Sequence, residues 1–347
     1  MQTVHSAADD AVIQRMTASE YLSAATVADD VRAALAMGID DPLLGLLRNA
    51  ERLVLVGSGG SYAALLTAQY LLEQVVRLPV HVFTGKDLLW RRPIWLGPRT
   101  PIIFASFSGN TVDVVEALRL AQELSVPTIG ITGRPASTLA RDCDAAMVYS
   151  GASIYEVPII GALRMTQAIS DPGRSVELLE AVAQLPALLV TMQSQAASLM
   201  RPLARSLADH DHLYLTGAGP LSSLAFKLAP VFMENARVGA SYFDASEMRH
   251  GSIEFLERHQ PALVALLGTD ESRDTTAMII NFVRDRGGFV AVLDAAELAP
   301  THPLLTPLII NSYTQWLVAF SAELRGIDDL DERVYMGKGL LSKGQWP

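Results

Sequence analysis

The stretch Arg52-Leu53-Val54-Leu55-Val56-Gly57-Ser58-Gly59-Gly60-Ser61-Tyr62 runs directly into Ala63-Ala64-Leu65-Leu66-Thr67-Ala68-Gln69-Tyr70-Leu71-Leu72-Glu73-Gln74. The aliphatic run Leu53 to Val56 is short, continuous and partly β-branched, the pattern of a strand covered on both faces. The glycines then allow a tight turn, and Ser61 sits where a helix should begin. A helix start exposes unpaired N–H groups and a positive dipole end, a natural seat for phosphate. A strand-to-helix turn that binds nothing accounts for this stretch alone as well. A dinucleotide fold fits poorly, because the third glycine of G-x-G-x-x-G would fall at Tyr62. The turn points to a phosphate without its adenosine.

At 347 residues the chain has room for two domains of ordinary size. Half of it is hydrophobic and 18% is charged, so it folds as a globular protein. A net charge of −10 argues against sequence-independent binding to nucleic acid or an anionic membrane, though not against an anion held by local loops. Cys143 is the single cysteine, which excludes an internal disulfide and a structural zinc site. Its Arg-Asp-Cys-Asp setting disfavours a thiolate and marks it as an incidental or buried thiol. No signal pattern opens the chain and no 18 apolar residues run uninterrupted, so a cytoplasmic protein is expected.

Along the chain, residues 1–16 read as polar and mixed, with the first few loose, and Thr17 with Glu20 reads as a capping box for helices up to Asn49, broken near Gly38 to Pro42. Strand-like runs follow near 53–57, 80–84, 101–106, 126–131 and 145–149, separated by helical patterns, which is the order of an α/β domain with a parallel sheet. A helical region from Asp171 to Ala208, broken at Pro186, leads to a second series. Its strand-like runs lie at 212–217, 239–243, 262–267, 288–293 and Leu308 to Ile310, with helices at 220–236, 270–285 and 313–324. Leu-Val-Leu-Val-Gly57-Ser-Gly59 and Leu-Tyr-Leu-Thr-Gly217-Ala-Gly219 superpose at an offset of 160 residues. Self-similarity at that distance means a duplicated domain. Pro220 and fewer glycines give the second loop the weaker ligand role. The boundaries expected are an N-terminal helical segment 1–43, domains 44–200 and 201–325, and a tail 326–347.

The third strand of the first half ends in Ala105-Ser106-Phe107-Ser108-Gly109-Asn110-Thr111. Ligands of parallel sheets collect beyond the strands' carboxyl ends, so this loop and Gly59-Gly60-Ser61 are expected to converge on one anion. Hydroxyl and amide donors suffice for phosphate there without arginine. Taken singly, Ser108 or Thr111 is equally a helix cap. In the second half Glu234 closes an apolar helical stretch beside Val231, Phe232 and Met233, which suggests partial burial and a raised pKa. His250 precedes a glycine in a non-repetitive segment, and an imidazole is the side chain suited to proton exchange near neutral pH. Chemistry alone leaves both residues open between a structural and a catalytic role. No cluster of metal ligands is apparent, and no cofactor is implied.

Gly59-Gly60-Ser61-Tyr62 and Ser106-Phe107-Ser108-Gly109-Asn110-Thr111 resemble the two phosphate loops of the sugar isomerase (SIS) domain. The duplication resembles the isomerase half of glucosamine-6-phosphate synthase and the fructosamine-6-phosphate deglycases, from about Leu46 to Lys338. The resemblance implies an α/β fold of two tandem SIS domains, flavodoxin-like three-layer units with parallel sheets, joined by N-terminal and linker helices. It implies that Gly59, Gly60, Ser61, Ser106, Phe107, Ser108, Asn110 and Thr111 bind the substrate phosphate. It implies that Glu234 moves a proton between C1 and C2, and that His250, sixteen residues later in a His-Gly motif, assists ring opening, reaching the partner's site in a homodimer.

Two departures from the synthase matter. Its lysine three residues before the glutamate is Val231 here, and its glutaminase domain has no counterpart, so glutaminase activity is not expected. The segment Phe243 to Glu257, with its Ala-Ser pair and His250-Gly-Ser-Ile-Glu254 run, is more similar to the deglycases, as is the aromatic-basic tail Asp331 to Lys338. Tyr335 and Lys338 are therefore candidate lid residues, and Glu156 a candidate contact for the amine or a plain helix cap. The expected activity is amine release from a phosphorylated ketosamine. The rivals are a sugar-phosphate aldose/ketose isomerase and, in another class, a non-catalytic sugar-phosphate sensor.

Overall fold

The computed structural model describes residues 7–336 apart from residues 21, 39 and 40. Three helices come first, α1 (Ala7–Ala18), α2 (Val27–Ala36) and α3 (Asp41–Arg48). The first α/β series is β1 (Leu53–Gly57), α4 (Gly60–Val75), β2 (Val80–Thr84), α5 (Gly85–Arg91), β3 (Ile102–Ala105), α6 (Val112–Glu123), β4 (Thr128–Thr132), α7 (Thr138–Asp142), β5 (Ala145–Val148) and α8 (Glu156–Thr166). After the long α9 (Pro172–Leu207) comes the second: β6 (His212–Gly217), α10 (Pro220–Val231), β7 (Gly239–Asp244), α11 (Ala245–Met248), β8 (Ala262–Leu267), α12 (Arg273–Asp285), β9 (Phe289–Asp294), α13 (Ala295–Leu298) and α14 (Thr306–Leu324).

The chain divides into two compact units. One takes in Asp29–Ala183; the other joins the described residues up to Ala28 to Gln184–Glu332. In the first unit a wholly parallel sheet runs β2-β1-β3-β4-β5, the flavodoxin order. Its central strands are aliphatic throughout because both faces are covered: Leu53 to Val56 and Ile102 to Ala105 are fully buried. Val54, Val56, Ile102 and Phe104 face one core with Val114, Leu118 and Leu139 of α6 and α7, while the alternate residues point to the opposite layer. The second unit repeats the plan with the parallel order β7-β6-β8-β9. Leu263, Ala265 and Leu267 of β8 pack there with Ile279, Ile280 and Val283 of α12.

Residues from Ala7 onward form α1, whose Val12 and Met16, one turn apart, are buried in their unit, and the first six residues, expected to be loose, lie outside the described residues. Three expectations are corrected. Thr17 lies inside α1 and donates its hydroxyl back to Ile13 O at 2.8 Å, so it caps nothing. Pro186 does not break α9. A proline inside a helix costs about 3 kcal/mol, and the buried stripe Leu178, Val182, Leu185, Leu189 and Met192 outweighs it at roughly 1.5–3 kcal/mol per side chain. Among the described helices α9 alone is long and apolar enough to cross a membrane; its buried stripe lies opposite Glu177, Glu180 and Gln184. Leu308 to Ile310 belong to α14, buried from Thr306 to Ala322, and a short apolar run on such a helix carries no periodic signature.

Candidate functional site

Chain order and sheet order part company at β1 and β3. They are neighbours, with Val54 opposite Ile102 and Val56 opposite Phe104, although β2 lies between them in sequence. This is the switch point of the sheet, beyond whose carboxyl ends ligands of open parallel sheets bind. Gly59 forms the N-cap of α4 at φ 56°, and no side chain caps that helix start. Ser61 is buried in its first turn. The hydroxyl of Ser58, which the motif reading passed over, is buried with no protein partner.

The loop after β3 gathers its hydroxyls. Ser106 Oγ lies 3.0 Å from Thr111 Oγ1 and 3.4 Å from Ser108 Oγ, and Ser108 Oγ lies 3.4 Å from Thr111 Oγ1. Thr111 is the N-cap residue of α6 yet makes no side-chain bond to that helix, because its hydroxyl turns to the serines. The loop itself is rigid: Gly109, at φ 63°, and Asn110 donate their N–H groups to Ser106 Oγ and Ser108 Oγ at 3.1 and 3.3 Å. The loop after β4 braces it. Gly133 N–H and Thr132 Oγ1 donate to Phe107 O at 3.0 and 3.2 Å, and Asn110 Oδ1 accepts Thr138 N–H at 2.8 Å. A trio of hydroxyls beside two helix starts can hold a phosphate through neutral donors and helix dipoles.

The second unit contains the same turn in another chemical form. Gly219 caps α10 at φ 58° and ψ −135°, close to the 56° and −126° of Gly59. Its neighbouring loop, after β8, carries Asp270, whose Oδ1 accepts Ser272 N–H at 2.7 Å. A Cβ at Gly219 would meet Ser272 Oγ at 2.7 Å and Asp270 Oδ1 at 3.3 Å. A carboxylate at this switch point repels a phosphate where the first unit offers hydroxyls. Sequence reading weakened this loop on account of Pro220; the deciding residue, Asp270, was missed because it lies fifty residues further on.

Glu234 is half-buried in a wide π-helical turn, Phe232–Ala236, that continues α10. Pro230 removes one hydrogen-bond donor just before it, and such turns gather at functional sites. Arg237, in the left-handed region at φ 53°, donates to Glu234 O and to Glu332 O at 2.9 Å, and Asn235 Nδ2 donates to Leu330 O at 2.6 Å. The Glu234 turn is thereby stitched to the segment leading into the tail. His250 is exposed, its N–H donated to Glu247 O at 2.9 Å, and Gly251 follows at φ 155°, which explains the glycine of the motif. Asp244 caps α11 just before it. Burial works against that carboxylate, but hydrogen bonds from Ser222 and Ser246 win and hold its pKa below the usual range.

Glu156 is fully buried at the start of α8. Ser153 Oγ donates to its carboxylate at 2.6 Å and accepts its N–H at 3.1 Å. Tyr335 is 75% exposed, and Lys338 lies outside the described residues. Cys143 is half-buried; desolvation of its thiol, with Asp144 nearby, pushes the thiol up to about 12. Among the described residues no group of three or more His, Cys, Asp or Glu could hold a metal.

The loop pair at the first switch point coincides with a recognised sequence family. Residues 46–182 match the model of the SIS domain. The chain is 29% identical over 296 residues to fructoselysine 6-phosphate deglycase of Escherichia coli K12, covering 84% of this chain and 86% of that one. It is 26% identical over 306 residues to a glutamine–fructose-6-phosphate aminotransferase of Caulobacter vibrioides, covering 80% of this chain but 50% of the relative. Among solved structures, the C-terminal domain of glucosamine-fructose-6-phosphate aminotransferase from Francisella tularensis matches with a TM-score of 0.73 at 19% identity, covering 91% and 96% of the two chains. The fold shared with that structure is a pair of parallel-sheet α/β units, the first carrying the hydroxyl loop and the second the carboxylate variant of the same turn.

Proposed function

We propose that this protein is a phosphosugar deglycase that takes a ketosamine phosphorylated on its sugar and releases the amine. The observation that carries the reading is the hydroxyl trio Ser106, Ser108 and Thr111 at a SIS switch point, in a chain whose similarity to fructoselysine 6-phosphate deglycase extends over both units. Gly59, Gly60, Ser61 and the Ser106–Thr111 loop hold the phosphate, supplying binding energy remote from the reacting carbons. His250 assists opening of the sugar ring; its exposure fits a residue that serves the partner's site in a homodimer. Glu234 removes a proton from C1 of the open ketosamine, giving an enolamine. The proton returned to C2 converts this to an aldimine at C1. Addition of water then breaks the C1–N bond, leaving hexose 6-phosphate and the free amine. The protein works in the cytoplasm.

An aldose/ketose isomerase would use the same residues and stop before water adds, so amine release decides between the two. Incubation with fructoselysine 6-phosphate, its asparagine, glutamine and aspartate analogues and fructose 6-phosphate, followed by mass spectrometry, tests this. Amine from any ketosamine is the expected result. Interconversion of sugar phosphates without amine would make it an isomerase, and saturable binding without turnover a sensor.

A further inference from the structure

The phosphate loops contain no cationic side chain in Gly57–Ser61 or Ser106–Thr111, in a chain of net charge −10. A guanidinium comes from the next loop of the sheet. Arg134 follows β4 directly after Gly133, and Gly133 N–H is the group that pins Phe107 O at 3.0 Å. The Arg134 N–H in turn donates to Thr132 Oγ1 at 3.2 Å. The guanidinium carbon of Arg134 lies 4.7 Å from the centroid of the Phe107 ring, the residue between Ser106 and Ser108, with Tyr149 6.2 Å away on that ring. Gly133 is required there, since a Cβ would meet Phe107 Cε2 at 2.6 Å. The stack therefore depends on backbone fixed from both loops. A guanidinium lying on an aromatic face keeps its N–H groups directed outward in its own plane, the geometry suited to oxyanions. Arg134 is itself solvent-exposed.

We infer that Arg134, held on the Phe107 ring, is a substrate-binding residue that recognises an anionic group of the substrate at the rim of the phosphate seat. The inference rests on the phosphate-seat reading above. One oxyanion chemistry has two sources in such a substrate, the phosphate ester itself and the carboxylate of an amino-acid amine.

The test measures inorganic phosphate binding by calorimetry and KM for two ketosamine 6-phosphates, one made from an amino acid and one from a simple alkylamine. It uses wild type, Arg134→Ala, Arg134→Lys and Ser108→Ala, with melting temperatures for each. Loss of a charge-assisted hydrogen bond at an exposed site predicts a roughly tenfold effect. Phosphate binding weakened about tenfold by Arg134→Ala, and partly restored by Arg134→Lys, assigns the phosphate as the anion. Unchanged phosphate binding with KM raised only for the amino-acid substrate assigns the carboxylate. Phosphate affinity and both KM values within about twofold of wild type, with only the melting temperature lowered, would reduce Arg134 to a structural stack and overturn the inference. If wild type itself bound no phosphate and Ser108→Ala changed nothing, the seat would fall and the inference with it.

Discussion

Replacing Ser108 by alanine separates ligand binding from folding at this loop. Its hydroxyl contacts are long: 3.4 Å to Ser106 Oγ, 3.4 Å to Thr111 Oγ1 and 3.3 Å from Asn110 N. Distances at the edge of hydrogen bonding, in a half-buried residue that water can reach, leave little native energy to lose. The fold should change by less than about 1 kcal/mol. A bound phosphate dianion would forfeit a charge-assisted hydrogen bond, worth about 1.5–3 kcal/mol. At 1.4 kcal/mol per factor of ten, that is a roughly 10- to 150-fold weaker affinity. Ser106→Ala makes the contrast. Ser106 is buried, holds Gly109 N–H at 3.1 Å and meets Thr111 Oγ1 at 3.0 Å, so its removal costs about 1–3 kcal/mol of stability as well. Calorimetric titration with hexose 6-phosphate, beside a melting curve, reads both quantities. Phosphate affinity for Ser108→Ala within twofold of wild type would refute the seat.

Other expectations follow from named positions. Glu234→Gln should lower turnover by about 10²- to 10⁴-fold, the range of general acid–base catalysis, while hexose 6-phosphate binding stays within a few fold; near-normal turnover would withdraw the base assignment. Gly59→Ala and Gly109→Ala both force a side chain to positive φ, near 56° and 63°, at roughly 1–2 kcal/mol each. Gly59 has open space, whereas a Cβ at Gly109 would meet Ser137 Oγ at 2.2 Å, so Gly109→Ala should melt far lower and equal losses would contradict the loop geometry. Cys143, whose thiol is pushed to about 12 by burial and by Asp144, is protonated at pH 8 in the native state. It should resist alkylation until the protein unfolds. Because its pKa is raised on folding, its contribution to stability is complete at neutral pH and declines only as the solution becomes strongly alkaline. Prompt labelling of the native protein at pH 8 would disprove the burial.

The strands were legible because both-face burial writes an uninterrupted aliphatic run, as in Leu53–Val56 and Ala262–Leu267. The first switch point was legible because its chemistry is local: Ser106, Ser108 and Thr111 span six residues on one loop. Asp270 and Arg134 were not, since each lies beside a loop that sequence separates from it, and only the sheet order brings the loops side by side. Leu308–Ile310 misled because a helix buried all round has no polar face to set its period. Pro186 misled because the loss of one hydrogen bond is visible in sequence while the packing that offsets it is not. The π-turn at Glu234 carried one local sign, Pro230, four residues earlier.

The most direct test of the central claim is the stoichiometry of wild-type turnover on fructoselysine 6-phosphate, with lysine and hexose 6-phosphate quantified together by mass spectrometry. The account predicts one lysine for each hexose 6-phosphate formed, and neither product from Glu234→Gln on the same timescale. Sugar-phosphate products formed without lysine or any other amine, from this or the related ketosamine phosphates, would contradict it.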